Sequence, residues 1–447
     1  MKLQSKANLK RLGTTLIFSD TLKAKNFIKS IFFLAVLSVA LFQAFRLGVG
    51  VARHGSLSNF LDSRDATTRL ERVLDLIDTY YVDLEDADSD TLADTALESL
   101  LDNLDPYSEY MNPERLNDLK ADTSQEFGGI GVQVEFRDEQ LIVVAPIEGS
   151  PADGAGVLSG DIIIEVEGES VEGEGLSGIV KVLRGKPGSS VQVGVYRPAS
   201  DEKLSYDLVR EVIEVDSVRG VEMLTDKIGY LRISQFGAKT GTEVTAAITQ
   251  LENAGMKGLV IDLRNNPGGL LEAAVEVVEP FLEKDQLVVY TEGRHPDANE
   301  RWLSQNNRKP YDLELIVLIN SGTASASEIV AGALRDYNLA LIVGEKSFGK
   351  GSVQRVLDLG GGSAIKLTTA KYYTPGGYVI HGEGIEPDVM VETTLEENRK
   401  LSIQKSRLKI VNREEFAEQY GFEPIEDQQL QTGVELLERK LSSPNGL

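Results

Sequence analysis

The pattern of apolar and polar positions changes several times along the chain. An uncharged run, Ser30–Phe45, comes first and follows Lys2, Lys6, Lys10, Arg11, Lys23, Lys25 and Lys29. A basic flank before an apolar run is the pattern of an export signal whose flank stays inside. A span needs ~20 residues, a length reached if Arg46 snorkels and Leu47–Ala52 contribute. The expectation is an uncleaved signal-anchor over 1–52, with the rest on the extracytoplasmic (periplasmic) side of the inner membrane. A signal cleaved after the small-x-small Gly50-Val51-Ala52 is the alternative.

A polar linker is read over 53–63. Beyond it Leu70, Val73, Leu74 and Ile77 fall on one helical face. A second helix is predicted over Thr91–Leu101 with Asp90 as N-cap. LDPYSEYMNPE (104–114) is rich in turn formers, and a third short helix follows. Together these make a helical region over 64–125. Short β-like runs then appear among many glycines: Ile130–Phe136, Leu141–Ala145, Asp161–Val166 and Val191–Tyr196, with a helix at Leu176–Leu183. This is a small, mostly β module over 126–212.

From there to 395 the pattern is α/β. Strands 257–264, 313–320 and 339–345 alternate with helices Leu270–Leu282 and 327–337, which implies parallel pairing and right-handed crossovers. SVQRVLDL and SAIKLTTAKYY read as an antiparallel hairpin across 360–362. The tail, 396–447, is charged, rich in Glu and Gln, and predicted helical. The 70–77 helix and the tail carry apolar positions that a compact core does not use, which points to a homodimer.

Composition narrows the chemistry. Of the 447 residues none is Cys, so disulfides, thiol nucleophiles and thiolate metal sites are excluded. Three histidines make a multi-His zinc site a poor fit, and no metal or other cofactor is expected. Nine Lys/Arg and one Asp give residues 1–55 a charge of +8, so the rest carries −32 within a total of −24. So acidic a body repels phosphates and argues against nucleic-acid binding.

Three segments carry chemistry. In INSGTASASEIVAGAL (319–334) a strand ends, a small-residue turn follows, and a helix begins near Ser325. A serine there faces free N–H groups and the positive end of the helix dipole, and the N–H of Ala326 is a natural oxyanion donor. Taken alone, Ser321, Thr323, Ser325 and Ser327 read equally well as helix caps. Serine needs a base, and neither His295 nor His381 sits in a recognisable triad context. A lysine serves if apolar surroundings leave it neutral, and Lys350 lies in SFGKGSVQ (347–354) directly after an apolar strand. Gln354 can hold the Lys350 amine if the chain bends, since four extended residues span ~13 Å. In DLRNNPGGLL (262–271), Gly268 or Gly269 can supply a second oxyanion donor, although an ordinary strand-to-helix turn reads the same.

Together these segments resemble the carboxyl-terminal processing peptidases, or tail-specific proteases. Ser325-Ala326-Ser327-Glu328, with Thr323 and Ala324 just before it, resembles that family's catalytic strand-turn-helix, and its nucleophile falls on Ser325. The family's base lies 25 residues further on in G-K-G, the place of Lys350, and its assisting Gln four residues beyond that, the place of Gln354. LDPYS, FGGIGV, RGKPGS, DLRNNPGG, YYTPGG and GIEPDV also read like family signatures, so the resemblance covers nearly the whole chain. His381-Gly382-Glu383 departs from the family, which often has an uncharged or basic residue there. The resemblance implies a serine endopeptidase whose core has mixed strand–helix layers of the ClpP/crotonase kind.

The β module resembles an inserted PDZ domain. Gly128, Gly129, Ile130 and Gly131 stand for its carboxylate-binding loop, with Ile130 and Val132 beside an apolar pocket. The implied partners are protein substrates with apolar C-terminal tails. Two rival readings differ in class. A phosphate loop at Gly344–Lys350 would need a Ser/Thr where Gly351 stands and a helix where SVQRVLDLGGG reads as strand. A catalytically inactive PDZ scaffold would lack the Ser or the Lys, and both are present.

Overall fold

In a computed structural model of the chain, the described residues are 57–83, 88–137, 139–407 and 413–442. The segment read as a signal-anchor lies outside them. Among the described residues no helix is long and apolar enough to cross a membrane. The chain divides into two units, Met1–Ala96 and Leu97–Leu447.

The first unit holds the helix Leu57–Tyr80 and the start of the helix Ser89–Asp102. The first helix begins inside the stretch read as linker, because LSNFLDSRD contains no Pro or Gly to stop it. On its apolar face Leu70 and Val73 are exposed, at 45% and 52%, while Leu74 and Ile77 are half-buried. The second helix is capped by Asp88, which accepts the Thr91 N–H at 3.0 Å and the Thr91 hydroxyl at 2.7 Å. Asp90, the expected cap, lies inside the first turn.

The core of the second unit is a six-stranded sheet. Its order is Val218–Met223, Ile228–Ile233, Gly258–Asp262, Glu314–Ile319, Ala340–Gly344 and Val389–Met390. The first pair is antiparallel and the others are parallel. Because side chains alternate along a strand, each central strand serves both faces. Leu259, Ile261, Leu315, Val317 and Ile319 pack under the helices Thr240–Asn253, Leu271–Val278 and Ala326–Asp336. Val260, Ile316 and Leu318 face the other way, against Leu437 of the terminal helix Gln428–Ser442. A second sheet joins Glu109–Met111, Ser363–Tyr373, Leu287–Gly293 and Arg301–Leu303, with Ser352–Gly360 paired to Ser363–Tyr373.

The tail is therefore part of this chain's own core: Leu437 and Phe416 are fully buried. This corrects the expectation that its apolar positions wait for a second copy. A buried ion network adds to the attachment. Arg264 donates to both carboxylate oxygens of Asp262, at 2.9 and 2.7 Å, and Nη1 reaches Asp427 at 2.7 Å. Lys405 donates to Asp262 at 2.9 Å. Full burial pushes the Asp262 carboxyl up, but the Arg264 and Lys405 charges outweigh it and hold the group well below the usual range.

The β module is a sheet ordered Val132–Arg137, Gln140–Pro146, Ile162–Val166, Ser190–Arg197, Glu202–Val209, with the helix Leu176–Leu183 packed on it. Val132–Arg137 is an edge strand. Glu126–Gly129 and Glu211–Glu214 form a separate two-stranded ladder where the chain enters and leaves the module. Ile130 is buried in the module's core at 3% exposure. It therefore does not line an open pocket, and only the partly buried Val132 remains of that expectation.

Candidate active site

Two turns, 263–269 and 320–327, are laced together beneath the start of the helix Ala326–Asp336. The Thr323 hydroxyl donates to the Leu263 carbonyl at 2.8 Å, and the Ala324 N–H to the Asn266 carbonyl at 3.0 Å. The Asn265 N–H donates to Asn320 Oδ1 at 2.9 Å. Ser325 stands where the turn meets the helix, with φ 57° and ψ −119°. A non-glycine residue at such angles costs about 1–3 kcal/mol and persists only when its surroundings enforce it.

The enforcing group is Glu328, fully buried one turn into the helix. Its Oε2 accepts the N–H of Ser325 at 2.8 Å and of Lys350 at 2.9 Å, and its Oε1 accepts the N–H of Gly349 at 2.7 Å. The Ser347 hydroxyl donates to the same Oε1 at 2.5 Å. One carboxylate thus binds the backbones of both Ser325 and Lys350. Burial raises its pKa, against the pull of these donors. The sequence held a signal for it: Ser325-x-x-Glu328 is a capping-box spacing.

Lys350 is half-buried after the strand Ala340–Gly344. Burial lowers the pKa of its amine and the Lys366 charge adds to this, while Glu109 and Glu328 oppose it. The amine lies 4.8 Å from the centre of the Tyr107 ring. The Ser325 hydroxyl reaches the buried Tyr372 phenol, which itself donates to the Lys350 carbonyl. No hydrogen bond joins the Ser325 hydroxyl to the Lys350 amine among the described residues. Tyr107 and Tyr372 are neighbours that no local pattern in the sequence marks.

Gln354 lies next to a bulge between Val353 and Gln354, which supplies a bend. Its amide donates to Ser352 at 2.9 Å and Thr368 at 3.3 Å, so the expected bond to the Lys350 amine is not made. Of the two glycines offered as oxyanion donors, Gly268 has its N–H committed to Asn266 Oδ1 at 2.9 Å. Its place in the site is steric instead: a Cβ there would lie 2.6 Å from the Ser325 Cβ. Gly269 and Ala326 both line a cavity of about 610 Å³ beside Ser325, walled by Leu270, Ile329, Trp302 and Val353. After Lys350 the chain runs into the strand Ser352–Gly360, so the phosphate-loop reading lacks its helix. In the β module Gly128 and Gly129 are paired with Val212 and Glu211, and Ile130 and Gly131 lie beyond that ladder. Among the described residues no group of acidic or histidine side chains forms a metal cluster.

Residues 227–391 match the family model described as peptidase family S41, and residues 128–208 match one described as PDZ domain. A carboxy-terminal-processing protease of Bartonella bacilliformis is 41% identical over 336 residues, covering 74% of this chain and 76% of that protein. The carboxy-terminal processing protease CtpB of Bacillus subtilis is 37% identical over 330 residues, covering 73% and 68%. Among solved structures, a photosystem II D1 C-terminal processing protease is 32% identical with a TM-score of 0.42, covering 69% and 85%.

Gly268→Ala tests the close approach. The added methyl meets Ser325 and the positive φ of 102° strains any side chain. Displacement by an ångström costs about 100-fold in a positioned reaction. Cleavage of an unfolded protein is expected to slow by about that factor; an unchanged rate would show that the contact is not needed.

Proposed function

The chain belongs to the carboxyl-terminal processing peptidases of family S41 and carries a PDZ domain, and from that membership we propose that Ser325 and Lys350 are the catalytic dyad of this serine-type peptidase. The observation that carries the reading is the shared carboxylate. Glu328 binds the backbone of Ser325 and of Lys350 together, with Ser325 strained at a helix start and the Lys350 amine lowered in pKa by burial.

In this mechanism neutral Lys350 takes the hydroxyl proton as Ser325 Oγ attacks a substrate carbonyl carbon. The N–H groups of Ala326 and Gly269 receive the oxyanion. The C–N bond then breaks, and the Lys350 ammonium protonates the leaving amine. Water, deprotonated by Lys350, attacks the ester and returns Ser325. In the geometry described, Ser325 leans on Tyr372 and Lys350 on Tyr107, so the reaction requires the hydroxyl and the amine to approach. Substrate binding commonly tightens such contacts.

The same proposal assigns selection to the PDZ domain. A backbone-cleaving site gives little selectivity of its own. The edge strand Val132–Arg137 leaves room for a peptide added as one more strand. The N–H groups of Ile130 and Gly131, at the start of that strand, are the candidates for binding a terminal carboxylate. Membrane anchoring through 1–52, a periplasmic site of action and a homodimer through the exposed Leu70 and Val73 face complete the reading. A cytoplasm-only reporter fused after residue 60 should be silent, and its activity would contradict export. Sedimentation at monomer mass across micromolar concentrations would contradict the dimer.

Two experiments address the central claims. Ser325→Ala and Lys350→Arg are each expected to abolish degradation of an unfolded protein, Arg because it stays protonated at any working pH. Near-native turnover by Lys350→Arg would remove Lys350 as the base. For selection, a substrate with an apolar C-terminal tail should be cut about 10-fold faster than one ending in charged residues, a difference of about 1.4 kcal/mol. Amidating the apolar tail should erase that advantage. An amidated tail cut equally fast would show that no carboxylate is captured.

A further inference from the structure

We propose that Tyr107, from a segment outside both the peptidase and the PDZ matches, is a positioning residue that acts through Lys350, its ring covering the amine and keeping water from it. The inference rests on the reading of Lys350 as the base.

The contact is built rather than incidental. Asp105 Oδ1 accepts the N–H of Tyr107 at 2.9 Å and of Ser108 at 3.0 Å, and its Oδ2 accepts the Ser108 hydroxyl at 2.8 Å. This closes a turn whose shape aims the tyrosine. The turn is fastened to the strand Ser363–Tyr373: the Thr368 hydroxyl donates to Asp105 at 3.1 Å, and the Thr368 N–H donates to Ser108 Oγ at 3.1 Å. One residue further on, Glu109 pairs with Lys366 of the same strand. That strand is the hairpin partner of Ser352–Gly360, which begins two residues after Lys350. The segment 105–109 is therefore held by the same hairpin that carries the base.

A ring over an amine acts in two opposed ways. It removes water, which disfavours the ammonium, and its π face attracts the ammonium. The groups that set the balance at Lys350 are Lys366, which repels the charged form, and Glu109 and Glu328, which favour it. Burial is the largest influence and acts towards the neutral amine. Glu109 is in turn engaged by Lys366 and Arg115, which limits its pull. We assign the ring the same sense as the burial it contributes to, towards the neutral amine.

The test is the pH dependence of kcat/KM for the whole chain and its Tyr107→Phe, Tyr107→Leu and Tyr107→Ala variants on one unfolded protein substrate. A base acts when neutral, so the acid limb of the profile follows the Lys350 titration. Phe and Leu keep the cover, and their limb should stay where it is, with rates within about 3-fold of the parent. Ala admits water. Its limb should move to higher pH by about one unit, with a loss of about 10-fold at neutral pH that is recovered in base. A merely structural role would lower activity at every pH without moving the limb, and that result overturns the proposal. So does a limb displaced to lower pH, which would mean that the ring chiefly attracts the ammonium. If Tyr107→Ala does not fold, the Phe and Leu variants decide: a limb moved by either overturns the proposal. Failure of the dyad is read separately, as activity of Lys350→Arg.

Discussion

The site depends on one buried carboxylate and its four donors. Glu328 is the one side chain that ties the strained backbone at Ser325 directly to the loop that carries Lys350 among the described residues. The arrangement is economical because an ionised carboxylate has lone pairs enough for every donor presented to it, and such charge-assisted bonds are roughly twice as strong as neutral ones. The cost is desolvation, visible in its raised pKa. Buried charge is tolerated here because every donor around it is a backbone N–H or a short hydroxyl, with no flexible partner to lose.

Much of this was legible in the sequence. The central strands were readable because alternate residues on them are apolar on both faces of the sheet, and the start of the helix Ala326–Asp336 was readable from its small-residue turn. The hairpin Val218–Met223 and Ile228–Ile233, the helix Thr240–Asn253 and the strand Glu202–Val209 were not read, because their apolar positions are interrupted by charged residues that find partners only in the folded chain. Glu243 is one: it looks like a surface residue, yet its carboxylate accepts the N–H groups of Ser217 and Val218 at 2.8 and 2.9 Å.

The residues of the proposed site divide in the same way. Ser325 and Lys350 stand out because their neighbours in sequence shape them. Tyr107 and Tyr372 do not, since each reaches the site from far along the chain and the contact exists only once the second sheet has formed. Gly268 acts through the side chain it lacks and not through its N–H. Its missing side chain matters because of Ser325, while its N–H is consumed by Asn266, two residues earlier. A turn of the Asn-Pro-Gly type bonds to itself before it can offer anything to a ligand.

The ion network around Arg264 bears on when this peptidase can first work. The turn that holds Gly269 runs through Arg264, and Arg264 shares its charge with Asp427, 163 residues further along. The opposite side of the site is covered by Tyr107, made early. A nascent chain emerging from the ribosome carries Ser325 and Lys350 well before it carries Asp427, and during that interval Arg264 has Asp262 alone to neutralise it. The turn is thus completed by a residue 163 positions beyond it, so its assembly waits on long-range docking rather than on local folding.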